Sequence, residues 1–126
     1  MFNRSISAFI LLFCYSFLVH AGTTHTVTGV IQNPDASTPV DGTISFNAYI
    51  QGRTGEVITA SSSGAGYKDG SWYLNTGNFS TNWSSGEVLI VDFTNSANGG
   101  TAQSTTTLTT SGTDVAAQTT LTVVAG

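Results

Sequence analysis

Charge is scarce in this sequence. Its 126 residues include three lysines or arginines and seven aspartates or glutamates, a charged share of 8%. Nucleic acid and anionic lipid surfaces are bound through basic patches, so this balance argues against both as partners. Cysteine is limited to Cys14, which leaves no pair for a disulfide framework. Histidine is limited to His20 and His25. A zinc site needs three or four His, Cys or carboxylate ligands at close spacing, and a calcium loop needs several neighbouring carboxylates. Neither pattern occurs, so no metal and no cofactor is expected. A Ser-His-Asp triad or a Cys-His pair cannot be placed when His25 is the one histidine beyond residues 1–21 and lies close to them. Asp41-Gly42-Thr43 reverses part of the aspartic-protease order and reads as a tight turn. Glu56 and Glu87 would have to stand about 5–9 Å apart to act as a glycosidase pair, and nothing in the sequence brings them together. No catalytic residue is assigned and the chain is expected not to be an enzyme.

Long apolar runs are confined to the start. Arg4 is followed by residues 6–19 (ISAFILLFCYSFLV), then by Val19-His20-Ala21 with small or modest side chains at the −3 and −1 positions. This is the pattern of an export signal, with cleavage placed after Ala21. A spanning helix needs about 20 apolar residues, so the run is short for one; a retained anchor is the alternative. Phe13 precedes Cys14 and more apolar residues follow it, which does not fit a lipid-modified cysteine. Residues 1–21 are read as signal peptide and residues 22–126 as a single domain. The expected location is secreted or extracellular, or periplasmic, with no membrane span after cleavage.

Helical periodicity is missing outside that leader, and alternation takes its place. Within 43–50, Ile44, Phe46, Ala48 and Ile50 share one face, opposite Ser45, Asn47 and Tyr49. Within 88–94, Leu89, Val91 and Phe93 lie opposite Val88, Ile90 and Asp92, so this strand is apolar on both sides and reads as central. Within 118–124, Leu121 and Val123 point inward. Weaker strands are read at 26–31, 56–60, 71–75 and 103–109. The turn formers between them include Asn33-Pro34-Asp35, Asp41-Gly42, Gly64-Ala65-Gly66, Asp69-Gly70, Ser85-Gly86, Asn98-Gly99-Gly100 and Ser111-Gly112. The threonine-rich stretch 101–117 carries β-branched residues and is read as a polar edge hairpin. Seven short strands with this turn spacing predict an all-β, antiparallel β-sandwich.

The order of these segments also resembles a family. Val27-Thr28-Gly29-Val30-Ile31 is followed by Pro39-Val40-Asp41-Gly42-Thr43-Ile44-Ser45-Phe46. Next come Tyr67-Lys68-Asp69-Gly70-Ser71-Trp72-Tyr73-Leu74 and Trp83-Ser84-Ser85-Gly86-Glu87-Val88-Leu89-Ile90-Val91. This is similar to the carboxypeptidase regulatory-like, transthyretin-like (prealbumin-like) modules of secreted bacterial proteins, over roughly residues 26–95. The resemblance implies an antiparallel, seven-stranded Greek-key β-sandwich, immunoglobulin-like or transthyretin-like, that serves as an accessory module and not as a catalyst. The segment 51–66 is longer than the usual module loop, and no neighbouring catalytic domain is expected.

Aromatic side chains are the candidate binding groups. Alternation assigns Trp72 to the core with Leu74 and turns Tyr73 outward. Tyr49 likewise lies off the apolar face of its strand. Tyr49 and Tyr73 on neighbouring strands would form a flat platform, with Tyr67 and Trp83 in loops capping the sandwich or extending the platform. The expected partner is an extracellular protein or a polysaccharide, with self-association through edge strands as a further route. Asn78-Phe79-Ser80 and Asn82-Trp83-Ser84 match the N-glycosylation pattern. Lys68 is the one lysine from which an internal isopeptide crosslink could form.

Overall fold

The computed structural model describes residues 24–53 and 55–124. The expected export signal, with Arg4 and Cys14, lies outside the described residues. Alternation is realised as strands: β1 (Thr26–Gln32), β2 (Ile44–Ile50), β3 (Ile58–Thr59), β4 (Gly66–Lys68), β5 (Ser71–Asn75), β6 (Val88–Asn95), β7 (Gly100–Thr107), β8 (Thr113–Val115) and β9 (Thr119–Thr120). One 3₁₀ turn, Thr76–Asn78, follows β5. The first sheet runs β4-β5-β1-β8, with β9 also on β1; the second runs β3-β2-β6-β7. The fold is nearly all-β, and the two sheets share one core in the manner of a β-sandwich.

The core forms because inward residues alternate in both sheets. Val27, Ile31, Trp72 and Leu74 come from the first sheet; Ile44, Phe46, Ala48, Ile50, Leu89, Val91 and Phe93 come from the second. Trp72 meets Phe93 at a centroid distance of 5.4 Å and Phe46 at 6.4 Å, while Phe46 and Phe93 stand 5.8 Å apart. These tilted and edge-on contacts suit ring quadrupoles. Burial of each large apolar side chain contributes about 1.5–3 kcal/mol. Gly29 makes room for the indole: a Cβ there would sit 2.8 Å from Trp72 Nε1. As expected, β6 is central, between β2 and β7.

Several expectations need correction. Gly66 and Tyr67 are in β4, not in a loop, because Asp69 (φ 49°) and Gly70 (φ 90°) both take positive φ and close a two-residue hairpin onto β5. The stretch 101–117 is not a hairpin. β7 pairs with β6 in the second sheet, whereas β8 crosses to the first and runs parallel to β1. The crossing is fixed by Leu108, which stays buried, and by Asp114, which is drawn inward to His25. Leu121 is buried as expected, but Val123 is 41% exposed. The chain leaves β1 after β9, and its remaining ladder contact is a single bridge between Thr122 and Thr101. With β4 and β8 added, the strand segments among the described residues number nine instead of seven.

Candidate interaction surfaces

The four aromatic candidates do not form one platform. Tyr49 is half-buried on the outer face of the second sheet, in register with Ile90 and Thr105. Tyr73 is 40% exposed on the outer face of the first sheet, in register with Gly66 and Thr28. Their strands belong to different sheets, which stack about 10 Å apart, and the two rings point away from the core on opposite sides. The phenol end of Tyr73 overlies Gly66, where a Cβ would meet its hydroxyl at 2.7 Å. Tyr67 is committed to the frame: its hydroxyl donates to the Pro39 carbonyl at 2.6 Å and accepts from the Gly70 amide at 3.0 Å. Burial, with the Asp41 and Asp69 carboxylates nearby, pushes its pKa up against the Gly70 bond, so the phenol remains a donor.

Trp83 caps an end of the sandwich. Its ring lies 4.3 Å from the His25 ring at 31°, and beneath it is a polar cluster that no sequence motif marks. His25 is 1% exposed. Asp114 Oδ2 can only accept, so His25 Nε2 donates to it at 2.9 Å, and Nδ1 faces the Thr76 hydroxyl at 2.8 Å. Asp114 also accepts from the Thr109 amide at 2.9 Å and from the Thr109 hydroxyl at 2.6 Å. Burial pushes the Asp114 pKa up, but the two Thr109 bonds and the His25 ring outweigh it and hold the carboxyl below the ordinary range. Carboxylate, imidazole and hydroxyl are thus in line, as in a nucleophile relay. Thr76 is 1% exposed, so no substrate atom reaches its oxygen in this conformation. What the arrangement does is tie the residue before β1, the 3₁₀ turn and β8 together.

The long connection from β5 to β6 is strapped across the same end. Glu56 Oε1 accepts from Ser80 Oγ at 3.0 Å and from the Thr81 amide at 2.7 Å. Glu87 accepts from the Ser84 amide and pairs with Arg53 at 2.8 Å, and Arg53 donates to the Asn82 carbonyl at 3.2 Å. Both glutamates therefore hold loop backbone. Asn78 donates its amide to Ser63 O, while Asn82 is exposed. Among the described residues no group of three His, Cys, Asp or Glu side chains is placed to hold a metal ion.

Two further features lie at β7. A shallow depression of about 480 Å³ on the outer face of the second sheet is lined by Asp92, Thr94, Thr101, Gln103 and Thr122, and by Phe93 and Ala102. Within it Gln103 Nε2 donates to Asp92 Oδ1 at 2.8 Å. The second feature is the strand's free edge. Thr101 exchanges two main-chain bonds with Thr122, at 3.0 and 2.8 Å, so the odd-numbered residues of β7 turn their amides and carbonyls away from β6. Beyond Thr101, Gln103, Thr105 and Thr107 present that edge with no main-chain ladder bond on it among the described residues.

Comparison with protein-family models, curated proteins and solved structures returned no match. The likeness to carboxypeptidase regulatory-like modules rests on the sequence motifs alone.

Proposed function

We propose that this chain is a secreted, non-enzymatic β-sandwich module that acts in extracellular interaction or assembly, pairing through its open sheet edge with an extended protein segment. The observation that carries this reading is the β7 edge. Gly100–Thr107 pairs with β6 through eight consecutive residues without a bulge. It contains no proline and no charge, and no ionisable side chain occurs between Asp92 and Asp114. Edge strands that are not used for pairing are generally blunted by one of these devices. The non-enzymatic part is supported by the burial of Thr76 and by the structural duties of Glu56 and Glu87. Export is supported by the apolar leader, and the Greek-key topology by the non-consecutive antiparallel neighbours β1–β5 and β2–β6.

A small carbohydrate-binding module is the second reading, and the depression beside β7 favours it. Asp92, Gln103 and three threonine hydroxyls offer a lining suited to sugar hydroxyls, and Tyr49 stands on the same face. Amide shifts in the labelled exported protein separate the two. Titration with a blocked peptide of the β7 sequence is expected to shift Gln103, Thr105 and Thr107 saturably, and Thr105→Pro to abolish the effect. Saturable shifts around Asp92 with a soluble polysaccharide, lost in Tyr49→Ala, support the second reading instead. Silence in both titrations sinks both.

A further inference from the structure

We infer that the partner at the β7 edge is a second copy of this chain, in a symmetric dimer built by antiparallel pairing of β7 with β7. The inference rests on the edge-pairing reading above and names its occupant.

Main-chain geometry sets the register. An antiparallel ladder joins residues whose amides and carbonyls both point at the partner strand, and each such pair exchanges two N–H···O bonds. On β7 the unpaired residues of that kind are Gln103, Thr105 and Thr107. A two-fold axis through Thr105 sets Thr105 against its own copy and Gln103 against Thr107 in both directions. Every free residue of the edge is then paired on both chains. The exposed face of the seam carries only Thr–Thr and Gln–Thr pairs, which are β-branched or able to hydrogen-bond and which favour cross-strand contact.

Electrostatics favours a self-partner here more than elsewhere on the surface. The whole chain carries a formal net charge of −4, so two copies repel wherever carboxylates approach. The carboxylate nearest the seam in the sheet is Asp92, one strand back on β6 and tied to Gln103. Its counterpart lies three strand spacings across the seam, about 14 Å sideways at the usual 4.7–4.9 Å per strand, and is offset further along the strands, well beyond the ~8 Å screening length at physiological salt. The interface is isologous and closes after two copies, joining the two four-stranded sheets into one continuous sheet. Because one strand pair buries little area, the dimer is weak and reversible.

Sedimentation of the exported chain across a wide concentration range tests this. The mass is expected to rise from one chain towards two, and Thr105→Pro to return it to one. The Thr105 amide bonds nothing on β6, so proline removes no ladder bond within the monomer. Thr105→Cys supplies a second measurement that does not depend on that variant folding. Oxidation is expected to give a covalent dimer, whereas Thr94→Cys on β6 gives none. A single-chain mass at every concentration, or equal crosslinking of the two cysteine variants, overturns the self-partner. If the peptide of β7 sequence still shifts the edge amides in that case, the edge reading survives and only its occupant was wrong; if the peptide is silent too, both fall.

Discussion

Asp114 accepts three hydrogen bonds from two residues, Thr109 and His25, in a region sealed by Trp83. Removing it leaves the His25 N–H and the Thr109 amide and hydroxyl without their acceptor. Asp114→Ala is expected to cost about 1–3 kcal/mol, the desolvation penalty of such groups, read from urea unfolding at neutral pH. The sign of the pH dependence follows from the lowered pKa. A carboxyl held below its ordinary value of 3.8 in the folded state adds stability at higher pH, and that stability is lost as the pH falls below 3.8 through the folded value. Asp35, through the Ser37 hydroxyl and amide, and Glu56, through the Thr81 amide, are also held low. The acid limb is therefore shared, and the difference between the parent and Asp114→Asn isolates this site: it should shrink as the pH falls below 4. None of this was legible in the sequence. His25 stood alone near a predicted terminus, and its partners are 51 and 89 residues away. Trp72 was legible, because alternation with Leu74 fixes its face regardless of what lies across the core.

At the scale of strands, legibility tracked length and contrast. β2 and β6 have seven and eight residues with an uninterrupted inward set, so their faces follow from alternation alone. β4 and β8 have three residues each, too few for any period, and their pairing depends on a hairpin turn and on a buried aspartate. The platform of Tyr49 and Tyr73 failed for a related reason. Alternation gives the side of a strand but not the sheet the strand belongs to, and outward in one sheet is opposite to outward in the other. The polar character read for β7 was sound, although its path was not. Its inward positions are Ser104 and Thr106, which turn hydroxyls into the interior, and Thr106 Oγ1 is buried without a partner among the described residues. Thr106→Val keeps the shape and removes that group. It is expected to stabilise the protein by about 1 kcal/mol, read as a rise in Tm of about 4 °C or more for a domain of this size. An unchanged or lower Tm would mean that the hydroxyl has a partner such as a buried water.

The whole molecule is closed by its last strands. β8 and β9 run parallel to β1 at Thr26↔Thr113 and Ile31↔Thr119, while Thr122 bridges to Thr101 on the other sheet. The C-terminal segment therefore touches both layers, and its inward residues are Asp114, Ala116, Thr119 and Leu121. Leu121 is the only large apolar side chain among them, so much of the hydrophobic attachment of this closure falls on one residue. Parallel pairing across nearly the full described length is expected to come late in folding, because loop closure opposes it until the rest of the core is in place. If the closure is part of one cooperative unit, Leu121→Ala costs about 2–5 kcal/mol and lowers amide protection in β1, β6 and β8 by a common amount. If the segment opens by itself, protection falls only near residues 113–122 while β2 and β6 keep theirs. The clasp of Asp114 on His25 joins β8 to the residue before β1 from inside the core, which favours the first outcome. Hydrogen exchange on Leu121→Ala distinguishes the two, with a uniform loss across both sheets expected.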